Sequence, residues 1–563
     1  MYKDNKILVV IPARGGSKGI PRKNIRMMND KPLIAHTINH ANSSEYIDNV
    51  VVSTDDDEIK FIAEKFGADV IKRSKELAED NVPLDPVIYD ATIKQEEKFN
   101  TVYDFVITLQ PTSPLLKTST LNKAIEKLCE GNDTVISVVD DRHLSWGYDT
   151  EDDKFYPLYS KRVNRQYLPK QYRETGSIFA TKREFLKEDS RLGEKIDLIP
   201  VSPHESIDID NYEDWWVAER LLMKKRILIK TDASHEIGTG HIYRGLAIAS
   251  KLVNHDVMFL LNENKEIGIN IIKNYNYPYI THKEDNILGK IKEYEPDIVV
   301  NDILNTSSSY IKSLKDEDYF VLNFEDLGGG VKYADVVCDA LYEHKIPLKN
   351  LYSGHLYYIL KDEFYYQPYK EIHPSVKEIL LTFGGTDPND LTKKTLNSIL
   401  KSDFKGNVKV ILGLGYMDKK GIEKEFQDYS NIEIFEDVKN ISEYMISADI
   451  IFTSAGRTMY EIASIGVPCV CLCQNQRELT HIFGNVENGF INLGLGSEVK
   501  ETDLIKTIND IIYNYDLRLE MSNRMKNVDV RHGFENLMKI VKPKYLEFEK
   551  EKKGEMLNNE HIQ

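Results

Sequence analysis

The feature that most constrains the fold is a β-forming apolar run that passes straight into a glycine-rich turn, a unit this chain uses more than once. Residues 7–11 (ILVVI) are continuously apolar, the pattern of a strand covered on both faces in a parallel sheet. The following PARGGSKGIPRKN sets Gly15, Gly16 and Gly19 among Arg14, Lys18, Arg22 and Lys23. Glycine admits backbone conformations closed to other residues and lets amide N–H groups approach an anion; with the four cations, the turn suits a polyphosphate. It has neither the Gly-Lys-Ser/Thr ending of a P-loop nor GxGxxG. A solvated, cation-rich turn is the alternative that these residues alone leave open.

The unit returns at 226–230 (RILIK), which leads into TDASHEIGTGH and a helical run over 242–252. Gly238 and Gly240 precede the helix amino end, where amides and dipole favour an anion and disfavour imidazolium, leaving His241 able to accept a proton. Residues 379–383 run into GGTDP, and 450–453 into SAGRT and a helix carrying Glu461. Between these units, 50–55, 105–109, 298–302 and 320–324 read as strands that end in or run into polar residues, and 32–41 and 212–223 as helices. The alternation predicts an α/β protein with function gathered at the carboxyl ends of parallel strands.

At 563 residues the chain is too long for one ordinary core. Domains are expected at 1–224, 225–372 and 373–544, with a charged, aperiodic tail at 545–563. No apolar run approaches the roughly 20 residues of a membrane span, and MYKDNK passes directly into the first strand without a leader pattern. A cytoplasmic protein without a membrane partner is therefore expected. A formal charge of −17 argues against nucleic acid as a partner, so local cations must hold any anionic substrate. Cys469, Cys471 and Cys473 alternate within VPCVCLC, which places them on one face of a buried strand and not in a zinc site.

IPARGGSKGIPRKN resembles the signature of the CMP-sialic acid synthetases, cytidylyltransferases that activate nonulosonic acids, and the resemblance covers roughly the first 220 residues. It implies a Rossmann-like nucleotidyltransferase domain that binds CTP and a nonulosonic acid and forms a homodimer. Carried onto this sequence, Arg14 and Lys23 would act on the phosphates. Ala13, Gly15, Ser17, Lys18, Asn24, Ser53 and Asp55 would line the nucleotide, and Gln110, Thr112 and Ser113 of LQPTSPL would surround cytosine and sugar. Arg165, Gln166, Gly176 and Ser177 would form the acceptor site. Thr175 stands where Asn is usual, which shortens the reach of that side chain. Asp208 and Asp210 alternate in SIDID; on a strand they would share a face, and by resemblance they would hold Mg²⁺. An exposed strand face and, for Arg165, an ordinary surface charge are the competing readings.

DASHEIGTGHIYR resembles the UDP-sugar hydrolase of pseudaminic acid biosynthesis, a relative of GT-B glycosyltransferases, with the likeness extending to about residue 490. It implies a GT-B-like pair of Rossmann-like subdomains, a UDP-linked amino sugar as substrate, His241 as general base and no cofactor. Gly238, Gly240, Arg244, Gly385, Ser454, Gly456 and Thr458 would approach the substrate, the last three at diphosphate, and Glu461 would take ribose hydroxyls. Lys361 stands where the family often has Arg, near a phosphate. His235 and His481 are taken as satisfied or exposed polar residues. Two alternatives stand beside a bifunctional enzyme: a noncatalytic UDP-sugar-binding or oligomerising second half, and a glycosyltransferase.

Overall fold

The computed structural model describes every residue except 1, 17, 235–237, 343–346, 437, 439, 553 and 555–563. The chain forms two compact units, Met1–Lys224 and Lys225–Gln563.

The first unit is built on a seven-stranded sheet in the order Ile196–Pro200, Thr134–Asp140, Tyr172–Lys182, Phe105–Leu109, Ile7–Pro12, Asn49–Thr54, Asp69–Lys72. Ile7–Pro12 lies between two parallel neighbours and every residue of it is buried. Its alternation feeds two cores: Ile7, Val9 and Ile11 pack with the helices Leu33–Asn42 and Thr118–Cys129, while Leu8 and Val10 pack with Ile88 and Ala91 of Leu84–Phe99. That double burial is why the run is apolar without a break. Tyr172–Lys182 is antiparallel to both neighbours, and its register slips between Glu174 and Phe179, so a bulge forms around Gly176. The parallel strands deliver the loops after Pro12, Thr54 and Leu109 to one edge of the sheet.

The segment 206–210 is an irregular loop and not the expected strand. Alternation of Asp and Ile there reflects a core anchor, since Ile209 is buried with Ile20, Met28 and Trp215. The helix Tyr212–Leu222 follows, started by a capping box between Asn211 and Asp214.

The second unit contains two wholly parallel sheets. One has seven strands, from Tyr279–His282 through Arg226–Thr231 and the central Ile298–Asp302 to Leu351–Ser353; the other has six, with Glu378–Thr382 and Ile450–Thr453 adjacent at its centre. In the strand Cys469–Cys473 the three cysteines pack with Tyr460, Phe483 and Phe490 while Val470 and Leu472 enter the opposite core. The expected tail is corrected in part, because the helix Gly533–Lys552 continues through residue 552. Leu537, Val541 and Tyr545 form an i, i+4, i+8 stripe that the boundary at 545 cuts, and Tyr545 and Phe548 meet Phe320 edge-on. Among the described residues no helix is long and apolar enough to cross a membrane.

Candidate active sites

In the first unit the glycine turn is pinned from both sides. Asn24 Nδ2 donates to the Arg14 carbonyl (3.1 Å), and the Gly15 amide donates to Asp55 Oδ1 (3.0 Å). A Cβ at Gly15 would stand 2.7 Å from Asp56 Oδ2, and one at Gly19 would collide with the Asp210 carbonyl. Close approach is thus what requires glycine here, and it brings the loop against the aspartate pair. Lys23, only 11% exposed, lies with Nζ 3.7 Å from Asp210 Oδ1 and donates to the Ile209 carbonyl. The other cations are not simply solvated. Arg14 pairs with Asp80 (2.6 Å), Lys18 with the same carboxylate, and Arg22 with Glu58. The hydrogen bond from Lys18, with help from Arg14, holds the Asp80 carboxyl below its usual range.

Gln110, Thr112, Gly176 and Asp208 meet at the bulge. Gly176 has φ +73°, and its Cβ position lies 3.0 Å from Gln110 Nε2 and 3.6 Å from Asp208 Oδ2. The Ile209 amide donates to the Thr112 carbonyl (2.9 Å), tying LQPTSPL to the aspartate loop. Asp208 Oδ1 is buried without a partner among the described residues, and burial raises this carboxyl; Asp210 is 80% exposed. An orphaned carboxylate oxygen beside a second, solvent-facing carboxylate fits Mg²⁺, which takes one or two protein carboxylates and fills its octahedron with water and phosphate. Ser113 is buried with its hydroxyl unpartnered among the described residues.

Other residues expected at the substrate are engaged in hydrogen bonds within the chain. The Ala13 amide donates to the Ser53 carbonyl (3.0 Å), and fully buried Ser53 accepts from Arg73 at both its hydroxyl (3.2 Å) and its carbonyl (2.7 Å). Arg73 was not singled out from sequence; burial pushes its guanidinium down to about 10, and no motif marks it. Ser177 is locked in a hydroxyl cluster with Thr175 (2.6 Å) and Ser137 (3.2 Å). Arg165 and Gln166 sit in an exposed turn, held by bonds from Arg165 to the Asp140 carbonyl (3.4 Å) and from Arg142 to the Gln166 carbonyl (3.5 Å). Asp140 ends a strand three positions from Ile7–Pro12 in the sheet, ~14 Å at the usual strand spacing, which is why, among the described residues, no bond joins this pair to the glycine turn. Ser17 lies outside the described residues.

The second unit has a cleft of about 1320 Å³ lined from both sheets, and Gly238, Gly240, His241, Arg244, Gly385, Ser454, Gly456, Thr458 and Glu461 all face it. At its floor is a buried charge array. His241 Nδ1 lies 2.7 Å from Asp302 Oδ1, and because a carboxylate only accepts, Nδ1 carries the proton of that bond and Nε2 is the ring nitrogen left outside it. Arg244 grips Asp302 through Nε (2.6 Å) and Nη2 and reaches Glu325 through Nη1 (2.8 Å). Complete burial would raise the Asp302 carboxyl, but Arg244 and then His241 hold it at about 2. Behind them, burial and the Glu325 carboxylate push Asp339 well up, so that it keeps a proton and shares it with Glu325. Arg244 therefore fixes Asp302, the partner of His241, from a buried position.

On the facing sheet the Ser454 hydroxyl stands between two glycine turns, 3.9 Å from the Cβ position of Gly384 and 3.6 Å from that of Gly456. Glu461 is buried and paired with Lys361 (3.1 Å), so the phosphate contact expected of Lys361 and the ribose contact expected of Glu461 start from a mutual ion pair. His481 is corrected: it is neither exposed nor satisfied, but lines the cleft, with Nδ1 2.5 Å from the Ala455 carbonyl and Nε2 buried without a partner among the described residues. His235 lies outside the described residues. Asp302 and Glu325 were not assigned roles from sequence, where the only signal was their position at or just after strand ends; Glu478, which also lines the cleft and accepts from the Gln474 amide (2.7 Å), carried no signal.

A cation-bearing glycine turn closed on an aspartate pair defines a nucleotidyltransferase-like first unit, and two parallel sheets meeting at a glycine-lined cleft define a GT-B-like second unit. Residues 8–196 match the Cytidylyltransferase family, and residues 379–539 match the Glycosyltransferase family 28 C-terminal domain. CMP-N,N'-diacetyllegionaminic acid synthase of Campylobacter jejuni is 36% identical over 228 residues, 39% of this chain and 97% of that protein. Through its first unit the chain belongs to the cytidylyltransferases, and it has homologues among CMP-nonulosonate synthetases. An uncharacterised protein of Methanocaldococcus jannaschii is 31% identical over 273 residues, 45% of this chain but only 56% of that relative. Acinetobacter baumannii MurG aligns with 57% of this chain and 99% of its own at 16% identity and a TM-score of 0.42.

Proposed function

We propose that the chain is a bifunctional enzyme of nonulosonic acid biosynthesis. The first unit transfers CMP from CTP to a nonulosonic acid (pseudaminic, legionaminic or sialic) and releases pyrophosphate. The second hydrolyses a UDP-linked 2,4-diacetamido-trideoxy sugar and releases UDP, with 225–372 supplying the base and 373–544 holding the nucleotide. The observation that carries this reading is that each glycine turn adjoins its own reactive set: Gly19 abuts Asp210, and Gly240 adjoins the His241–Asp302 pair.

In the first unit, Arg14 and Lys18 already clasp a carboxylate, that of Asp80, and the triphosphate takes its place. Lys23, Arg14 and Lys18 then stabilise charge that builds on the phosphate oxygens as the sugar hydroxyl attacks the α-phosphorus. Gln110 and the bulge at Gly176 orient the acceptor. Asp208 and Asp210 would hold Mg²⁺, which would supply Lewis-acid polarisation of the phosphates and acidify the attacking hydroxyl. In the second unit His241 Nε2 takes a proton from water as its oxygen attacks C1, and Asp302, kept ionised by Arg244, stabilises the imidazolium.

A homodimer through the first unit belongs to this reading, supported by the hairpin Trp146–Asp149 and Lys154–Pro157, which exposes Trp146, Tyr148, Phe155 and Tyr156. Sedimentation of residues 1–224 as a monomer would remove that part. The catalytic proposal is tested by assaying CMP transfer and UDP release in the wild type, Asp210→Asn and His241→Ala, with loss of one activity per variant expected. The family 28 match favours a second reading, glycosyl transfer to an acceptor other than water; turnover of UDP-sugar only when an acceptor is added would establish it. Absence of UDP release under all conditions leaves a binding module.

A further inference from the structure

Four cationic side chains, Arg244, Lys361, Arg457 and Arg477, line the cleft of the second unit among the described residues. Two are committed to carboxylates: Arg244 to Asp302 and Glu325, and Lys361 to Glu461. Arg477 donates through Nε to the Tyr342 hydroxyl (2.5 Å) and lies over the same ring, although its Nη2 is buried without a partner among the described residues. Among those residues Arg457 lacks even such a neutral hydrogen-bond tie. Its Nη1 is buried without a hydrogen-bond partner, and no carboxylate lies at ion-pair distance from it among the described residues. An arginine held this way is already built into the wall, and what it lacks is an anion.

Its placement is specific. Arg457 belongs to the turn before the helix Thr458–Ile465 on the nucleotide side of the cleft, yet its side chain crosses to the other side. A Cβ at Gly240 would lie 3.1 Å from Arg457 Cδ, so the guanidinium stem rests against the residue preceding His241. The support is aromatic. The guanidinium carbon lies 5.1 Å from the centre of the Tyr358 ring, whose hydroxyl donates to the Arg457 carbonyl (3.2 Å). Tyr358 stacks on Tyr460 (4.2 Å) and Tyr460 on Phe483 (3.9 Å). Thus one cation stands where the turn at Ser454–Gly456, suited to diphosphate, comes nearest to the base.

We infer that Arg457 is a catalytic residue of the second unit: it binds the β-phosphate of a nucleoside diphosphate sugar and takes up the charge left there when the sugar departs. The inference rests on the hydrolase reading above. As water attacks C1, its proton passes to His241 Nε2, the C1–O bond to the β-phosphate breaks, and the bonding pair stays on the phosphate oxygen. Arg457 donates N–H to that oxygen, so the leaving group needs no proton. UDP, the free sugar and one proton result, and no oxidant or further reactant is required. The glycine at 240 is explained by the same geometry, since any side chain there would press on the arginine stem.

The test uses the full chain with Arg457→Gln and Arg457→Lys. Calorimetric titration with UDP and with uridine separates phosphate recognition from nucleoside recognition and reports on folding. Arg457→Gln is expected to bind UDP at least about tenfold more weakly while binding uridine as the wild type does, with Arg457→Lys intermediate. UDP release from a UDP-linked diacetamido sugar is expected to fall by about 10²–10³ in kcat for Arg457→Gln, the cost of losing one preorganised donor to a developing oxyanion. Unchanged UDP affinity in Arg457→Gln overturns the assignment, as does equal weakening toward UDP and uridine. Failure of the hydrolase reading looks different: the wild type then binds UDP with the Arg457-dependent preference over uridine but releases none from the sugar nucleotide.

Discussion

At the scale of single residues, the second site is decided by partners. The place of His241 after Gly238 and Gly240, at a helix amino end, was legible because glycine turn and helix are local patterns. Asp302 was not, because 61 residues separate it from His241 and only the pairing of Arg226–Thr231 with Ile298–Asp302 sets them side by side. Asp302→Asn puts an NH2 donor in place of one carboxylate oxygen, facing the N–H groups of Arg244 or His241, and so disturbs the Nδ1–H tautomer; UDP release is expected to fall by about 10³–10⁴ in kcat with little change in KM, measured by coupled UDP detection. Glu478 has an effect on stability. Burial raises its carboxyl to about 7 from an ordinary 4.5, so the folded chain keeps a proton that the unfolded chain has given up. Its contribution is therefore fully present at low pH and is lost as pH rises from about 4.5 through about 7. Urea midpoints of the second unit are expected to drop between pH 5 and pH 8, and to drop less in Glu478→Gln.

Elements carry the first site. Strand Ile7–Pro12 was readable because burial on both faces demands an unbroken apolar run, and Phe105–Leu109, Ile298–Asp302, Phe320–Phe324 and Ile450–Thr453 were readable for the same reason. The loop at 206–210 was misread because one buried isoleucine between two aspartates imitates the period of a strand. The same geometry makes Gly19 a sharp probe. In Gly19→Ala the added methyl collides with the Asp210 carbonyl, so the turn or the aspartate loop must shift. Overpacking of this kind costs about 1–3 kcal/mol, which the first unit survives, whereas misplacing the cations by an ångström costs about 10² in rate. CMP transfer is expected to fall by about that factor while circular dichroism stays unchanged; retained activity would mean that the turn does not set the phosphate position.

For the whole molecule, the helix Gly533–Lys552 shows how an end of the chain can belong to a distant core. Its residues follow the second sheet of their unit in sequence, yet Tyr545 and Phe548 pack on Phe320 of the first, and Glu549 pairs with Lys225 (2.6 Å). Stopping the chain after Lys544 removes two aromatic side chains from that core, at a cost on the order of 3–5 kcal/mol. Calorimetry should show the transition of the second unit moved down by several degrees with that of the first unmoved, because the two compact units have separate cores. A shift of both transitions would show that the units unfold together.

The amino-acid sequence alone determined the α/β class, the glycine turns and most of their cations, since these follow from local demands: an apolar run to fill two faces, glycine where backbone must come close, charge near an anion. Tertiary structure decided which of those groups meet. It tied Ala13, Ser53 and Ser177 into hydrogen bonds within the chain, left Arg165 and Gln166 in an exposed turn, and assembled Asp302, Arg244 and Glu325 around His241. The physical reason is that a side chain's partner depends on strand order and register, and these are fixed by the packing of the whole sheet, which no short stretch of sequence contains.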